Sequence, residues 1–233
     1  MKLRNVYIIL ILSLILALES QSTFAQVHFW QQTNGPYVEP RILSIAINDS
    51  NEDIFVSTLN GIFRSSNNGD TWTNIGLSSY IIHSLAINSA GHIFAGTEMD
   101  GIFRSTDNGD TWTQMNLNVL EIEFLAINSK DHIFAGTNEE GVFRSTDNGD
   151  TWTKLIFDGP KISSFAFNSS NHIFADTEGH GIISSTDNGD NWTQIGLNGY
   201  QIKCISVNSD DHIFLGKFSM QDIIIFVKYT KKI

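Results

Sequence analysis

From residue 42 onward, short stretches of alternating apolar and polar positions are broken by Asn, Asp, Ser and Gly at every reversal. Ile82 to Asn88 alternates as a strand does, and Ser89-Ala90-Gly91 turns the chain. His92 to Thr97 reads as a second strand, Glu98-Met99-Asp100-Gly101 as the next turn, and Ile102 to Ser105 as a third strand. An Asp-Asn-Gly-Asp turn then leads into a fourth, Thr111 to Met115. Period-two spacing bounded by turn formers predicts an antiparallel meander. A helix would need apolar residues three and four apart over a dozen positions, and beyond residue 25 no uninterrupted run of that length exists. The chain is predicted to be all-β.

The pattern returns every 40 residues, marked without slippage by Trp72, Trp112, Trp152 and Trp192. A fixed period of this length signals a repeat architecture. Complete units span 42–75, 82–115, 122–155 and 162–195. Each sheet has two apolar faces, with Leu85 and Ile87 expected on one and Ile82, Ser84 and Ala86 on the other. One thin sheet cannot cover both, so the units are expected to stack face to face around an axis, as four-stranded blades of a β-propeller. A fifth unit begins at Ile202, continues through Ile213-Phe214-Leu215-Gly216 and lacks the Asp-Asn-Gly turn. Ile223 to Val227 is the candidate for its third strand. Phe29-Trp30-Gln31-Gln32 resembles Trp192-Thr193-Gln194, so the expected ring has five blades, the last spanning 202–228 and completed by residues 28–33. The alternative is a piece of a larger propeller.

The octapeptide Ser105-Thr106-Asp107-Asn108-Gly109-Asp110-Thr111-Trp112 carries a resemblance to a known family. Ser105, Asp107, Gly109, Thr111 and Trp112 match the Asp-box, also called the bacterial neuraminidase repeat. Ser145, Asp147, Gly149, Thr151 and Trp152 match it equally. The first copy keeps Gly69 and Trp72 but has Asn67 for the aspartate; the fourth keeps Asp187, Gly189 and Trp192 but has Asn191 for the threonine. The resemblance implies a propeller of the kind found in sialidases, some glucan-degrading hydrolases, sortilin-type receptors and photosystem assembly factors. It does not choose among their activities. Locally, Asn-Gly supplies positive φ for a tight turn, and the aspartate can accept backbone N–H bonds across it.

The first 25 residues read as a secretory signal: Lys2 and Arg4, an apolar run from Val6 to Leu18, and small residues at Thr23 to Ala25. That run is shorter than the roughly 20 residues of a membrane span. The expected mature domain is 26–233, with no transmembrane segment, secreted, periplasmic or at the cell surface of a bacterium. Losing Lys2, Arg4 and Glu19 takes the net charge from −11 to −12. An acidic chain without a basic cluster repels phosphate backbones, which removes nucleic acid from the expected partners. Cys204 is the one cysteine, so no intrachain disulfide forms, and its place on an innermost strand predicts burial.

Sialidases use three arginines on the substrate carboxylate. Beyond residue 25 there are only Arg41, Arg64, Arg104 and Arg144, and the last three hold one repeat position, better suited to pairing with neighbouring acids or turn carbonyls. His92, His132, His172 and His212 recur once per unit, too far apart to share an ion; neither metal nor cofactor is expected. In a meander the Asp-boxes and the near-identical Asn-Ser turns share one end. The opposite end carries loops that differ between units, and binding concentrates on such loops. There stand Glu98, Asp100, Glu121, Glu139, Glu140, Glu178, His180 and Tyr200, an acidic set suited to a sugar, a cation or a basic peptide. The expected function is a noncatalytic, monomeric binding or scaffold module that recognises a carbohydrate or a protein. The alternative is an Asp-box glycoside hydrolase, in which Glu121 or Glu123 works with a neighbouring acid.

Overall fold

The structure, a computed structural model, describes residues 41–117, 119, 121–156, 161–199, 202–217 and 225–229. The expected signal segment, the closing strand at 28–33 and Tyr200 lie outside these residues. Residues 1–34 form one unit and 35–233 another, and the second holds every described strand.

The first blade is β1 (Ile42–Ile47), β2 (Ile54–Thr58), β3 (Gly61–Ser65) and β4 (Thr73–Asn74), hydrogen-bonded in chain order. The second is β5 (Ile82–Ile87), β6 (Ile93–Thr97), β7 (Ile102–Ser105) and β8 (Thr113–Gln114). The third is β9 (Ile122–Ile127), β10 (Ile133–Thr137), β11 (Val142–Ser145) and β12 (Thr153–Ile156). The fourth is β13 (Ile162–Phe167), β14 (Ile173–Thr177), β15 (Gly181–Ser185) and β16 (Thr193–Gly196). A fifth, three-stranded sheet holds β17 (Ile202–Val207), β18 (Ile213–Lys217) and β19 (Ile225–Tyr229). All pairings are antiparallel, and no helix among the described residues is long and apolar enough to cross a membrane. The third strand of the last sheet sits two residues later than expected, because Lys217 pairs with Ile225.

Apolar residues fill each junction between successive sheets. Phe55 and Ile62 of the first blade pack on Ile82, Leu85 and Ile93 of the second. Phe94 and Ile102 then meet Ile122, Leu125 and Ile133, and Phe134 and Val142 meet Ile162, Phe165 and Ile173. Phe174 and Ile182 meet Ile202, Ile205 and Ile213 in turn. The blades come so close that a Cβ on Gly136 would stand 2.7 Å from Ile162 Cγ2. One expectation fails here: Ile82 shares the face of Leu85 rather than opposing it. The reason is a register shift between Ile82 and Ser84, and every innermost strand has the same shift near its start. An extra residue in a strand re-aims the side chains around it.

The octapeptide folds on itself. Asn68, Asn108, Asn148 and Asn188 hold φ of 56 to 63°, each followed by a positive-φ glycine. Ser105 Oγ donates to Asp107 Oδ1 at 2.8 Å and accepts the Gly109 amide at 2.8 Å. Asp107 then accepts the Thr111 amide at 2.8 Å and its hydroxyl at 2.5 Å. Asn67 holds the Thr71 amide in the first copy at 2.9 Å. Trp72, Trp152 and Trp192 return their indole N–H to the motif glycine's carbonyl, whereas Trp112 donates to Ile75 of the preceding unit.

The arginines do what the repeat position suggested. Arg104 donates to the Asn148 carbonyl at 2.6 Å and to Asp150 at 2.8 Å, so each blade grips the next blade's Asp-box turn. Arg64 and Arg144 do the same one blade to either side. The histidines of blades two and three meet Asn148 and Asn188 at 3.2 and 3.1 Å. His172 and His212 approach their own turn asparagines instead, so each histidine serves a separate turn.

The expected burial of Cys204 is overturned: its residue is exposed. The equivalent Ser84 and Ser164 are covered by a following blade, and among the described residues none lies over that face of the fifth sheet. At the other end of the row, Ile42, Ile45 and Ile47 are 48, 60 and 57% exposed, although the equivalent Ile82 and Leu85 are 0 and 6%.

Phe134→Ala removes a fully buried ring from the junction between blades three and four and is expected to cost about 3–5 kcal/mol in denaturant unfolding. Hydrogen bonds from Thr111 and Asn191 hold Asp107 and Asp187 at about 2, below the ordinary 3.8. Their contribution is therefore complete above the ordinary value and is lost as pH falls toward about 2. The melting temperature of Asp107→Asn/Asp187→Asn should fall less steeply over that interval than that of the parent.

Candidate functional site

The register shift at the start of each innermost strand decides where chemistry gathers. The residue skipped by the pairing is Leu43, His83, Glu123 and Ser163 in the first four blades. These positions lie at the variable-loop end, beside the residues that precede each innermost strand: Ile81, Glu121 and Lys161. The 2→3 turns fold onto the same place. The Glu98 amide bonds the Ile81 carbonyl at 3.1 Å, and the Glu178 amide bonds the Lys161 carbonyl at 2.9 Å.

His83, Glu121 and Glu123 come together there. One ligand atom from each lies within 4.8 Å of the others, and all three residues are half-buried. His83 Nδ1 stands 3.8 Å from Glu123 Oε2, and Lys161 Nζ is ion-paired with Glu123 Oε1. Glu121 accepts a hydrogen bond from Asn138 Nδ2 at 2.8 Å. Beside this network opens a depression of about 270 Å³ lined by Val119, Glu121, Thr137, Asn138, Glu139 and Glu140. The Thr137 hydroxyl anchors its turn, donating to the Gly141 carbonyl at 2.9 Å and accepting the Glu140 amide at 2.9 Å.

Of the residues expected at this end, the structure brings Glu121, Glu139 and Glu140 into one cleft. Glu98 and Asp100 stand on the turn of the second blade, where the Asp100 amide is held by Thr97 Oγ1 at 2.8 Å; they do not line the depression. Glu178 and His180 belong to the fourth blade, with His180 exposed and its Nδ1 3.1 Å from the Glu178 carbonyl. His83 and Lys161 were missed as site residues. Laying the sequence on its 40-residue period would have found them, since these positions change character in every unit while the residue between them stays isoleucine, at Ile42, Ile82, Ile122, Ile162 and Ile202. Asp176 is a further departure: a wholly buried carboxylate where blades two, three and five have Gly96, Gly136 and Gly216, accepting from Ser163 Oγ at 2.5 Å.

Solved structures match this architecture well beyond their sequence likeness. An ancestral GH74 enzyme is 20% identical with a TM-score of 0.67, over 86% of this chain and 34% of its own. The fold is that of a β-propeller. YCF48 bound to D1 peptide is 16% identical, with a TM-score of 0.61 over 80% of this propeller and 66% of that chain. Virginiamycin B lyase from Staphylococcus aureus is 17% identical, with a TM-score of 0.67 over 87% and 74%. The propeller thus spans about a third of the GH74 structure's length. No known family profile matches the sequence, and no curated protein matches it. At these identities the likeness shows the fold alone.

His83, Glu121 and Glu123 have the donor types of a divalent-cation site, but the Lys161 ammonium already neutralises Glu123. Removing a positive charge about 4 Å away is worth on the order of 4 kcal/mol at an effective dielectric near 20. Lys161→Ala is therefore expected to bind zinc at least about tenfold more tightly than the parent by calorimetry, and His83→Ala in that background to lose the gain.

Proposed function

We propose that this protein is a noncatalytic Asp-box propeller of the bacterial cell envelope or exterior, and that it recognises a carbohydrate or a protein through its variable-loop end. The observation that carries this reading is the cleft lined by Glu121, Asn138, Glu139 and Glu140, with the His83–Glu123–Lys161 network at its side. Carboxylates, an amide and a hydroxyl around one open depression can accept from sugar hydroxyls or from the ammonium and guanidinium groups of a basic peptide. The Asp-box assignment is supported by the hydrogen bonds that link Ser105, Asp107, Gly109 and Thr111, repeated from Ser145 to Thr151. The exterior location rests on the signal-like pattern of residues 1–25. A solved neighbour holds a peptide, which fits the binding reading.

A second reading, glycoside hydrolysis, is favoured by one feature: Glu121 and Glu123 oxygens lie within 4.8 Å, near the roughly 5–5.5 Å of retaining carboxylate pairs. Against it, Lys161 and Asn138 already occupy those carboxylates.

A panel of polysaccharides and basic peptides separates the two. The expected result is binding without release of reducing ends, weakened about tenfold or more by Glu121→Gln/Glu140→Ala and little changed by Glu98→Ala/Asp100→Ala. Equal loss in both pairs would move the site away from the third blade. Reducing ends that disappear with Glu123→Gln would replace the binding module by a hydrolase.

A further inference from the structure

Asn-Gly is a chemically fragile pair, and the Asp-boxes of blades two to four each carry one: Asn108-Gly109, Asn148-Gly149 and Asn188-Gly189. Glycine has no side chain to shield its amide. That nitrogen gives up its proton and attacks the asparagine Cγ; a C–N bond closes a succinimide ring, and ammonia leaves with the proton. Water then opens the ring at either carbonyl. The product is aspartate, or isoaspartate, in which the backbone runs through the former side chain.

In the folded turns both reacting groups are held. The Gly109, Gly149 and Gly189 amides donate to Ser105, Ser145 and Ser185 Oγ, each at 2.8 Å and each buried. The attacking nitrogen therefore keeps its proton, which points at a hydroxyl. The carboxamides are held by the preceding blade. Asn108 Nδ2 donates to Asp53 Oδ2 at 2.6 Å, Asn148 Oδ1 accepts from Asn88 Nδ2 at 2.9 Å, and Asn188 Oδ1 lies 3.1 Å from His132 Nδ1.

We propose that Asn108, Asn148 and Asn188 are latent modification sites, kept unconverted by the Asp-box serine together with the partner from the preceding blade. Ring closure needs the nitrogen and the carboxamide carbon aligned for attack. Neither can reach that alignment without breaking a bond that the fold supplies. This role is independent of what the variable-loop end binds.

Conversion would undo the junction that these turns make. Arg64 grips the Asn108 carbonyl at 2.7 Å, and isoaspartate displaces that carbonyl by inserting a methylene into the backbone. Aspartate instead sets a second carboxylate against Asp53, where like charges oppose each other. The turn of the third blade is more tolerant, because Asn88 and His92 can donate to a carboxylate at position 148.

Peptide mapping of the full chain by mass spectrometry, after incubation at mildly alkaline pH, is the test. In the parent the three asparagines are expected to stay amides while the same pairs convert in urea. Ser105→Ala should raise conversion at Asn108 by up to about tenfold, with Asn148 and Asn188 unchanged as internal controls. If that variant unfolds, all three sites convert together. Asp53→Ala, which frees the carboxamide and leaves the serine in place, then carries the test with the same expected result. Asn108 converting no faster than Asn148 in a folded variant would overturn the proposal, as would conversion in the folded parent at the rate seen in urea. Asn108→Asp, which installs one product, should lower the melting temperature more than Asn148→Asp does; an equal fall would overturn the part given to Asp53.

Discussion

A sheet of four short strands with oily residues on both sides cannot stand alone in water, and this constraint shapes the whole protein. The innermost strand contributes isoleucines to one neighbour and a small residue to the other, as Ile82 and Ala86 do. Burying an aliphatic side chain is worth about 1.5–3 kcal/mol. Each junction buries six or more such groups or rings, so contact between blades rather than pairing within them holds the row together. The contact must be close, and small residues at Ala95, Gly96, Ala135 and Gly136 on the second strands make it so.

Polar groups at the Asp-box end follow from the same need. A turn lying against a neighbouring blade must satisfy its own N–H groups, because buried donors without partners are costly. Ser105 and Asp107 do so locally, which leaves the next residue's carbonyl facing outward. The arginine of the preceding blade uses that carbonyl together with the following aspartate. These exposed ion pairs add little stability singly. The arginine is absent from the fourth blade, where Ser184 takes its place and the following unit lacks the Asp-Asn-Gly turn.

Most of the fold was legible because the 40-residue period and the turn residues point to the same answer. Strand order, the Asp-Asn-Gly turns and the pairing of Arg64, Arg104 and Arg144 with the next blade all follow from those two signals. What escaped had a local cause. Strict alternation put Ile82 on the wrong face, because one extra residue near the start of each innermost strand is invisible to a period-two count. Cys204 was misplaced because its burial depends on a following blade, not on its own strand. The site was half legible: variable loops pointed to Glu121, Glu139 and Glu140, but His83 and Lys161 sit at strand starts rather than loop tips.

That last difference bears on how such a chain acquires function. A repeated position usually stays constant because every junction demands the same packing. The skipped residue of each register shift is released from that demand, being unpaired in the ladder. It stands beside the start of the next innermost strand, so side chains from successive blades can meet there, as His83, Glu123 and Lys161 do. Loop tips such as Asp100 and Glu139 are equally free to vary but belong to separate blades. Chemistry that needs several groups within hydrogen-bond reach is therefore assembled beside the register shift, where Glu123 meets His83 and Lys161, while Asn138 of the adjoining turn reaches Glu121.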